Sequence, residues 1–239
     1  MRNVAVEPKI LKVLSGGAAQ AVVAALAEAF RAQSGYEIQG EFGAVGVVKE
    51  KLLAGAPADL VILTRALVDE LVASGRVLET SRADLGTVRT GIAVKRGEPL
   101  PDISSATALR NLLGAAPGIY FPDPERATAG IHFIKVLDAL GIRSDVAQHL
   151  RPYPNGNTAM RELARASGSG LVGCTQITEI RSTDGVALVG PLPAQFEFAT
   201  VYTACVCAQA AQPDAAKHFL SLLAGETTRS LRSRAGFEL

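Results

Sequence analysis

The stretch Leu52–Arg65, LLAGAPADLVILTR, constrains the fold of this chain more than any other segment. It reads as the end of a helix, a turn punctuated by Gly55 and Pro57, and then a strand. Leu60–Leu63 is apolar without a break, the pattern of a strand covered on both faces of a parallel sheet. Thr64 and Arg65 follow where that strand emerges at its C-terminal edge. Ligands of open α/β sheets collect at that edge. The segment therefore predicts both a fold class and the rim of a binding site.

The rest of the chain alternates in the same way. Short apolar runs predict strands at Ile10–Leu14, Tyr36–Phe42, Asp59–Thr64, Thr90–Lys95, Gly118–Phe121, Gly170–Cys174, Val186–Val189 and Ala199–Cys207. Helices are expected between them, among them Ala18–Gln33 with Val22, Val23, Leu26 and Phe30 at helical spacing. Further helices are expected at Val45–Leu53, Ser105–Leu113, Gly130–Leu140, Asp145–Leu150, Asn157–Ala166 and Ile177–Arg181, and at the end of the chain. Repeated βα units predict right-handed crossovers and a mostly parallel sheet. The texture breaks near Thr87–Thr90 and again near Pro191–Glu197, each read as a hinge strand. The expected layout is a two-lobed α/β protein. Residues 1–88 with 198–239 build one lobe, and 89–197 form the second, inserted lobe.

Composition narrows the function. The 239 residues are 48% hydrophobic and 20% charged, enough for a sizeable core. A net charge of +1 lacks the basic excess of a nucleic-acid binder, and no Trp with only 5% aromatics leaves little for base stacking. Cys174, Cys205 and Cys207 have neither disulfide spacing nor a metal-ligand pattern, and are expected as buried thiols. No run is long and apolar enough to span a membrane. MRNVAVEPKILKVLSGG shows no apolar leader core, because Glu7, Pro8 and Lys9 interrupt it. A cytoplasmic protein is expected on that ground, or a periplasmic one if a native leader was removed.

Four segments in order carry a resemblance: VLSGGAAQAVVAALAEAF, EFGAVGVVKEKLLAGAPADLVIL, YFPDPERATAGIHFIKVLDALGI and GLVGCTQITEI. Together they resemble type 2 periplasmic-binding-protein folds, in the molybdate-binding-like branch, from about Ile10 to Leu239. The resemblance implies two α/β lobes, each a mostly parallel sheet flanked by helices, joined by two hinge crossovers around a ligand cleft. Classical members of the branch hold a tetrahedral oxyanion with serine hydroxyls and backbone amides. Here Ala18 stands where the first serine falls, and the loop Gly43-Ala44-Val45-Gly46 has no hydroxyl at the second. A pocket tyrosine of the family falls near Gly173. Lacking those groups while keeping PDP-x₄-AGIHF and a Gln after GLVGCT, the chain resembles the subgroup that includes aconitate isomerase, which shifts a double bond by moving a proton α to a carboxylate. No cofactor is implied. The alternative is a solute-binding protein delivering molybdate or another small anion to an ABC permease.

The site residues expected on this reading fall into three groups. Arg65, Arg89 and Arg126 would clamp a di- or tricarboxylate bidentately. Backbone at the helix starts, Gly16 and Gly17, Gly43, Ala44 and Val45, and Thr128 and Ala129, would bind anionic oxygens, with Ser15, Asn157, Thr175 and Gln176 adding polar contacts. His132 and Glu41 are the candidate proton carriers, His132 because the positive end of its helix favours a neutral imidazole. The expected partner is a small-molecule anion, with neither nucleic acid nor membrane insertion.

Overall fold

The computed structural model describes residues 9–239. The absence of a leader was read partly from residues 1–8, which lie outside the described residues. Strand β1 (Lys9–Gly16) leads through a 3₁₀ turn at Gly17–Ala19 into α1 (Gln20–Ser34), whose buried residues are Val22, Val23, Leu26 and Phe30. Gly35 ends α1 in the left-handed region at φ 75°, a backbone conformation that residues with a Cβ rarely adopt. Then follow β2 (Tyr36–Gly43), α2 (Val45–Leu53), β3 (Leu60–Thr64) and α3 (Arg65–Ala73). Every residue of β3 is buried, as its unbroken apolar run requires.

Strand β4 (Ala83–Lys95) is longer than the sequence suggests, because it serves both lobes. Its first half, up to Arg89, pairs with β9 (Ala199–Val206). From Thr90 onward it pairs with β7 (Val172–Gln176) and β8 (Val186–Pro191). The second half of the fold contains α4 (Ala106–Ala115), β5 (Ile119–Pro122), α5 (Thr128–Ala139), β6 (Leu150–Tyr153), α6 (Gly156–Arg165) and α7 (Ile177–Arg181). Helices α8 (Pro213–Ala224) and α9 (Arg229–Ala235) close the chain.

Strands run in the order β2-β1-β3-β9-β4-β7-β5-β6, with β8 also on β4. The βα units pair in parallel, β1 with β2 and β3, and β5 with β6 and β7. Pairings of β4 and β9 are antiparallel, because both are connecting strands that return between the lobes. Of the helix expected at Asp145–Leu150 only a 3₁₀ turn at Ala147–His149 forms, and β6, which the sequence did not suggest, follows it from Leu150. Pro152 sits in β6 at no cost to the ladder because β6 is the last strand of the order.

Apolar burial follows the same division. One core gathers side chains from Leu11 to Val88 and from Tyr202 to Phe237. Two others lie between Ile92 and Leu192, around Phe121 and Phe133 and around Met160 and Leu163. The starts of α2, α5, α6 and α7 face the seam between them.

Candidate functional site in the interlobe cleft

The seam closes around a cavity of about 20 Å³, room for roughly one water molecule. Its lining is built from helix starts. Ala44 and Val45 open α2, Ala127–Ala129 open α5, Asn155 and Gly156 open α6, and Gln176 opens α7. Gly17 adds the turn before α1. No side chain caps α2, α5 or α7, whose positive ends point at the seam, although the Gly46 N–H of α2 is taken by the Arg126 carbonyl at 3.2 Å. The lining has no Lys, Arg or His. This arrangement suits an anion held by backbone rather than by charged side chains.

Glu179, in the first turn of α7, occupies the centre. It is 6% exposed, and among the described residues no cation lies within ion-pair distance. The Thr175 hydroxyl donates to one carboxylate oxygen at 2.5 Å, and the Asn157 amide reaches the other at 3.5 Å. Burial pushes the carboxyl up to about 7, although the Thr175 hydroxyl and the nearby backbone N–H groups of Gln176 and Asn157 pull it back. The same carboxylate lies against two glycines. A Cβ on Gly17 would stand 2.3 Å from one oxygen, and a Cβ on Gly156 would stand 1.9 Å from the other. Beside it, Gln176 is 2% exposed, and neither atom of its amide has a hydrogen-bond partner. Tyr202 is also buried, and burial, then the Glu179 charge, pushes its phenol far up, so it stays a neutral donor. A carboxyl raised to about 7, a buried amide and a neutral phenol thus share one small cavity.

The residues expected from the sequence divide by location. Gly17, Gly43, Ala44, Val45, Thr128, Ala129 and Gln176 line the cavity. Asn157 and Thr175 lie just behind it, bonded to Glu179. Gly16 packs its Cα against Val45 and Tyr202. Ser15 is buried, and its hydroxyl turns back to the Gly16 carbonyl at 2.8 Å.

The arginine clamp is not assembled. Arg65 is exposed and paired with Asp84. Partial burial would raise the Asp84 carboxyl, but hydrogen bonds from Arg65 and Thr203 outweigh it and hold the carboxyl below its usual range. Arg89 is neutralised by Glu197 at 2.9 Å and Glu238 at 2.8 Å, a pairing that ties the first crossover to the second and to the chain end. The side chain of Arg126 is exposed, and only its carbonyl takes part in the seam, accepting from Gly46 N–H at 3.2 Å. Neither proposed proton carrier reaches the cavity. His132 bonds the Phe196 carbonyl at 2.8 Å through Nε2 and stacks on Phe198, so it packs the second crossover. Glu41 is exposed and paired with Lys51. Cys174 is fully buried, and burial pushes its thiol far above its usual value, which leaves it unreactive.

Glu179, Tyr202 and Gly156 are the groups that sequence reasoning missed. An acidic residue three places after a strand end reads as an ordinary first-turn charge complementing the helix dipole. One signal was available: Thr175 and Glu179 lie four apart across a strand-to-helix turn, a spacing that lets a hydroxyl reach a carboxylate.

With this geometry in view, the chain matches over residues 11–238 the family described as bacterial extracellular solute-binding protein, and it belongs to that family. It is 27% identical over 222 residues to an aconitate isomerase from a Pseudomonas species, across 90% of this chain and 82% of that one. The fold is shared with the Azotobacter vinelandii periplasmic molybdate-binding protein, at a TM-score of 0.79 and 20% identity, over 96% of this chain and 99% of that one. It is shared also with the sulfate-binding protein of Mycobacterium tuberculosis, at a TM-score of 0.73 and 20% identity, over 96% and 86%. No helix among the described residues is long and apolar enough to cross a membrane.

Proposed function

We propose that the protein is a cofactor-free isomerase of a small unsaturated polycarboxylate such as aconitate, with Glu179 as its proton carrier. The observation that carries this reading is Glu179 itself, a buried carboxyl without a cation, raised to about 7 inside a cleft of helix starts. A carboxyl at that value can both take and return a proton at neutral pH. In the reaction, Glu179 removes a proton from the carbon α to a substrate carboxylate. The C–H electron pair spreads over the allylic carbons and that carboxylate. The same proton then returns to the far end of the allylic unit, so the double bond moves and nothing is oxidised or reduced. Gln176 N–H and Tyr202 O–H supply donors where negative charge develops. The starts of α2 and α5 hold the carboxylates. The relative that is an aconitate isomerase supports the same chemistry. The lobes that hold these parts divide at Arg89 and again before Ala199, a division supported by their separate apolar cores.

The second reading is a solute-binding protein for a small oxyanion, working with an ABC permease. Uncapped helix starts without a cation favour it, as do relatives named for molybdate and sulfate. That reading gives the raised carboxyl of Glu179 no task, whereas the isomerase uses it as its base. Ultraviolet absorbance of cis- and trans-aconitate with wild type and Glu179→Gln separates the two. Turnover by wild type that Glu179→Gln abolishes is expected. Tight molybdate binding without turnover sinks the isomerase.

A further inference from the structure

Among the described residues no Lys, Arg or His lines the central cavity, yet a polycarboxylate brings several negative charges. A groove of about 670 Å³ lies on the flank of the same cleft, between α1 of one lobe and α6 of the other. Gln20, Ala21 and Ala24 form its α1 wall, and Asn157, Arg161 and Arg165 its α6 wall. Asn157 lines the groove and lies just behind the central cavity. It donates to the Gly17 carbonyl at 3.2 Å and reaches Glu179 at 3.5 Å, so one amide side chain separates the groove from the buried carboxyl. Arg161 stands four residues on along α6, on the same face, with Cβ atoms about 5–6 Å apart at that spacing.

The charges of the groove are not equivalent. Arg165 is paired with Glu162 at 3.1 Å, and Asp184 with Arg96 at 3.6 Å. Arg161 donates to the neutral Thr158 hydroxyl at 3.1 Å and pairs with no carboxylate among the described residues. Opposite it, Ala21 and Ala24 leave room against the backbone of α1.

We propose that the groove is a second anchoring subsite, in which Arg161 binds the distal carboxylate of a polycarboxylate whose reacting carbons lie at Glu179, with Asn157 swung aside. This rests on the isomerase reading and names the residue that sets its preference for long acids over small anions. A guanidinium pairs with a carboxylate in a way a lone amide cannot. Inorganic sulfate cannot span the two spaces and gains nothing from Arg161.

The test compares wild type, Arg161→Gln, Arg161→Lys and Glu179→Gln, with turnover of cis-aconitate and calorimetric Kd for trans-aconitate and sulfate. Arg161→Gln should raise KM and Kd for the tricarboxylates about tenfold with kcat within about twofold. Arg161→Lys should recover part of the loss, and Kd for sulfate should move less than about twofold. Unchanged KM and Kd in Arg161→Gln overturn the subsite, while loss of turnover in Glu179→Gln still upholds the isomerase. Equal weakening of sulfate also overturns it, as a general charge effect. Without wild-type turnover the isomerase falls, and Kd of trans-aconitate still decides the subsite. No tricarboxylate binding at all overturns both.

Discussion

At the scale of the residue, Glu179 makes opposite demands on stability and on chemistry. Its folded value near 7 lies above the ordinary 4.5, so the folded protein holds a proton that the unfolded chain has lost between those values. Stability from this group is complete below about 4.5 and is lost as pH rises through about 7. The shift corresponds to something on the order of 3 kcal/mol. Glu179→Gln removes the titration, so the variant should gain on wild type as pH rises from 4.5 to 8, read as the difference between their urea midpoints. A constant difference across that range would refute the raised carboxyl. Activity runs the other way. The base form fills as pH rises through about 7, so kcat/KM for aconitate should climb across that value. Arg65 and Arg126 give the matching negative prediction. The first is held by Asp84 and the second faces solvent, so Arg65→Ala and Arg126→Ala should leave KM within about twofold, less than the loss of a charged hydrogen bond would cause.

At the scale of the element, the cleft depends on helices starting at fixed points, and Gly130 shows how tightly α5 is set. A Cβ there would lie 2.3 Å from the Pro122 carbonyl oxygen at the end of β5 and 2.2 Å from that of Asp123 in the loop that leads into the helix. Backbone cannot yield as a flexible side chain can. Gly130→Ala should therefore cost about 1–3 kcal/mol in thermal or urea unfolding and push Thr128 and Ala129 off the cavity. A variant as stable as wild type would show that the loop can give way.

The same helix shows what could be read in advance. AGIHF placed a helix start beside the cleft, and LVILT placed β3 wholly inside, because local spacing reports which elements form and which faces they bury. Burial between elements distant in sequence is not written in any one segment. Arg65 sits at the rim of β3 as expected, but Asp84, nineteen residues on, takes its guanidinium. Glu179 looks like a surface acid until Gly17, from the far end of the chain, covers it. His132 follows the right helix start, yet its ring turns to Phe196 and Phe198. Helix starts were thus legible, while the side chains at their ends were decided by packing across the seam.

At the scale of the whole molecule, the cavity is too small for a tricarboxylate unless the lobes part. The hinge is already visible, since β4 changes partners between Arg89 and Thr90 and the chain returns through Leu192–Phe198. Cross-seam bonds oppose opening, among them Asn157 to the Gly17 carbonyl at 3.2 Å, Gly46 N–H to the Arg126 carbonyl at 3.2 Å and the Arg181 guanidinium to the Arg234 carbonyl at 3.2 Å. Asn157 is the one beside the cavity, and a substitution can remove its bond without touching backbone. Its loss should release about 0.5–1.5 kcal/mol of closure, equivalent to a roughly 2–12-fold larger ratio of open to closed molecules. Small-angle scattering of unliganded Asn157→Ala should then give a larger radius of gyration than wild type, returning to the wild-type value when aconitate is added. Identical scattering from the two unliganded proteins would mean that the seam is held elsewhere, by the Gly46 bond, the Arg181 bonds and the Arg89 pairs. A shift that aconitate fails to reverse would separate lobe closure from ligand binding, and with it the premise that the substrate is caught between the lobes.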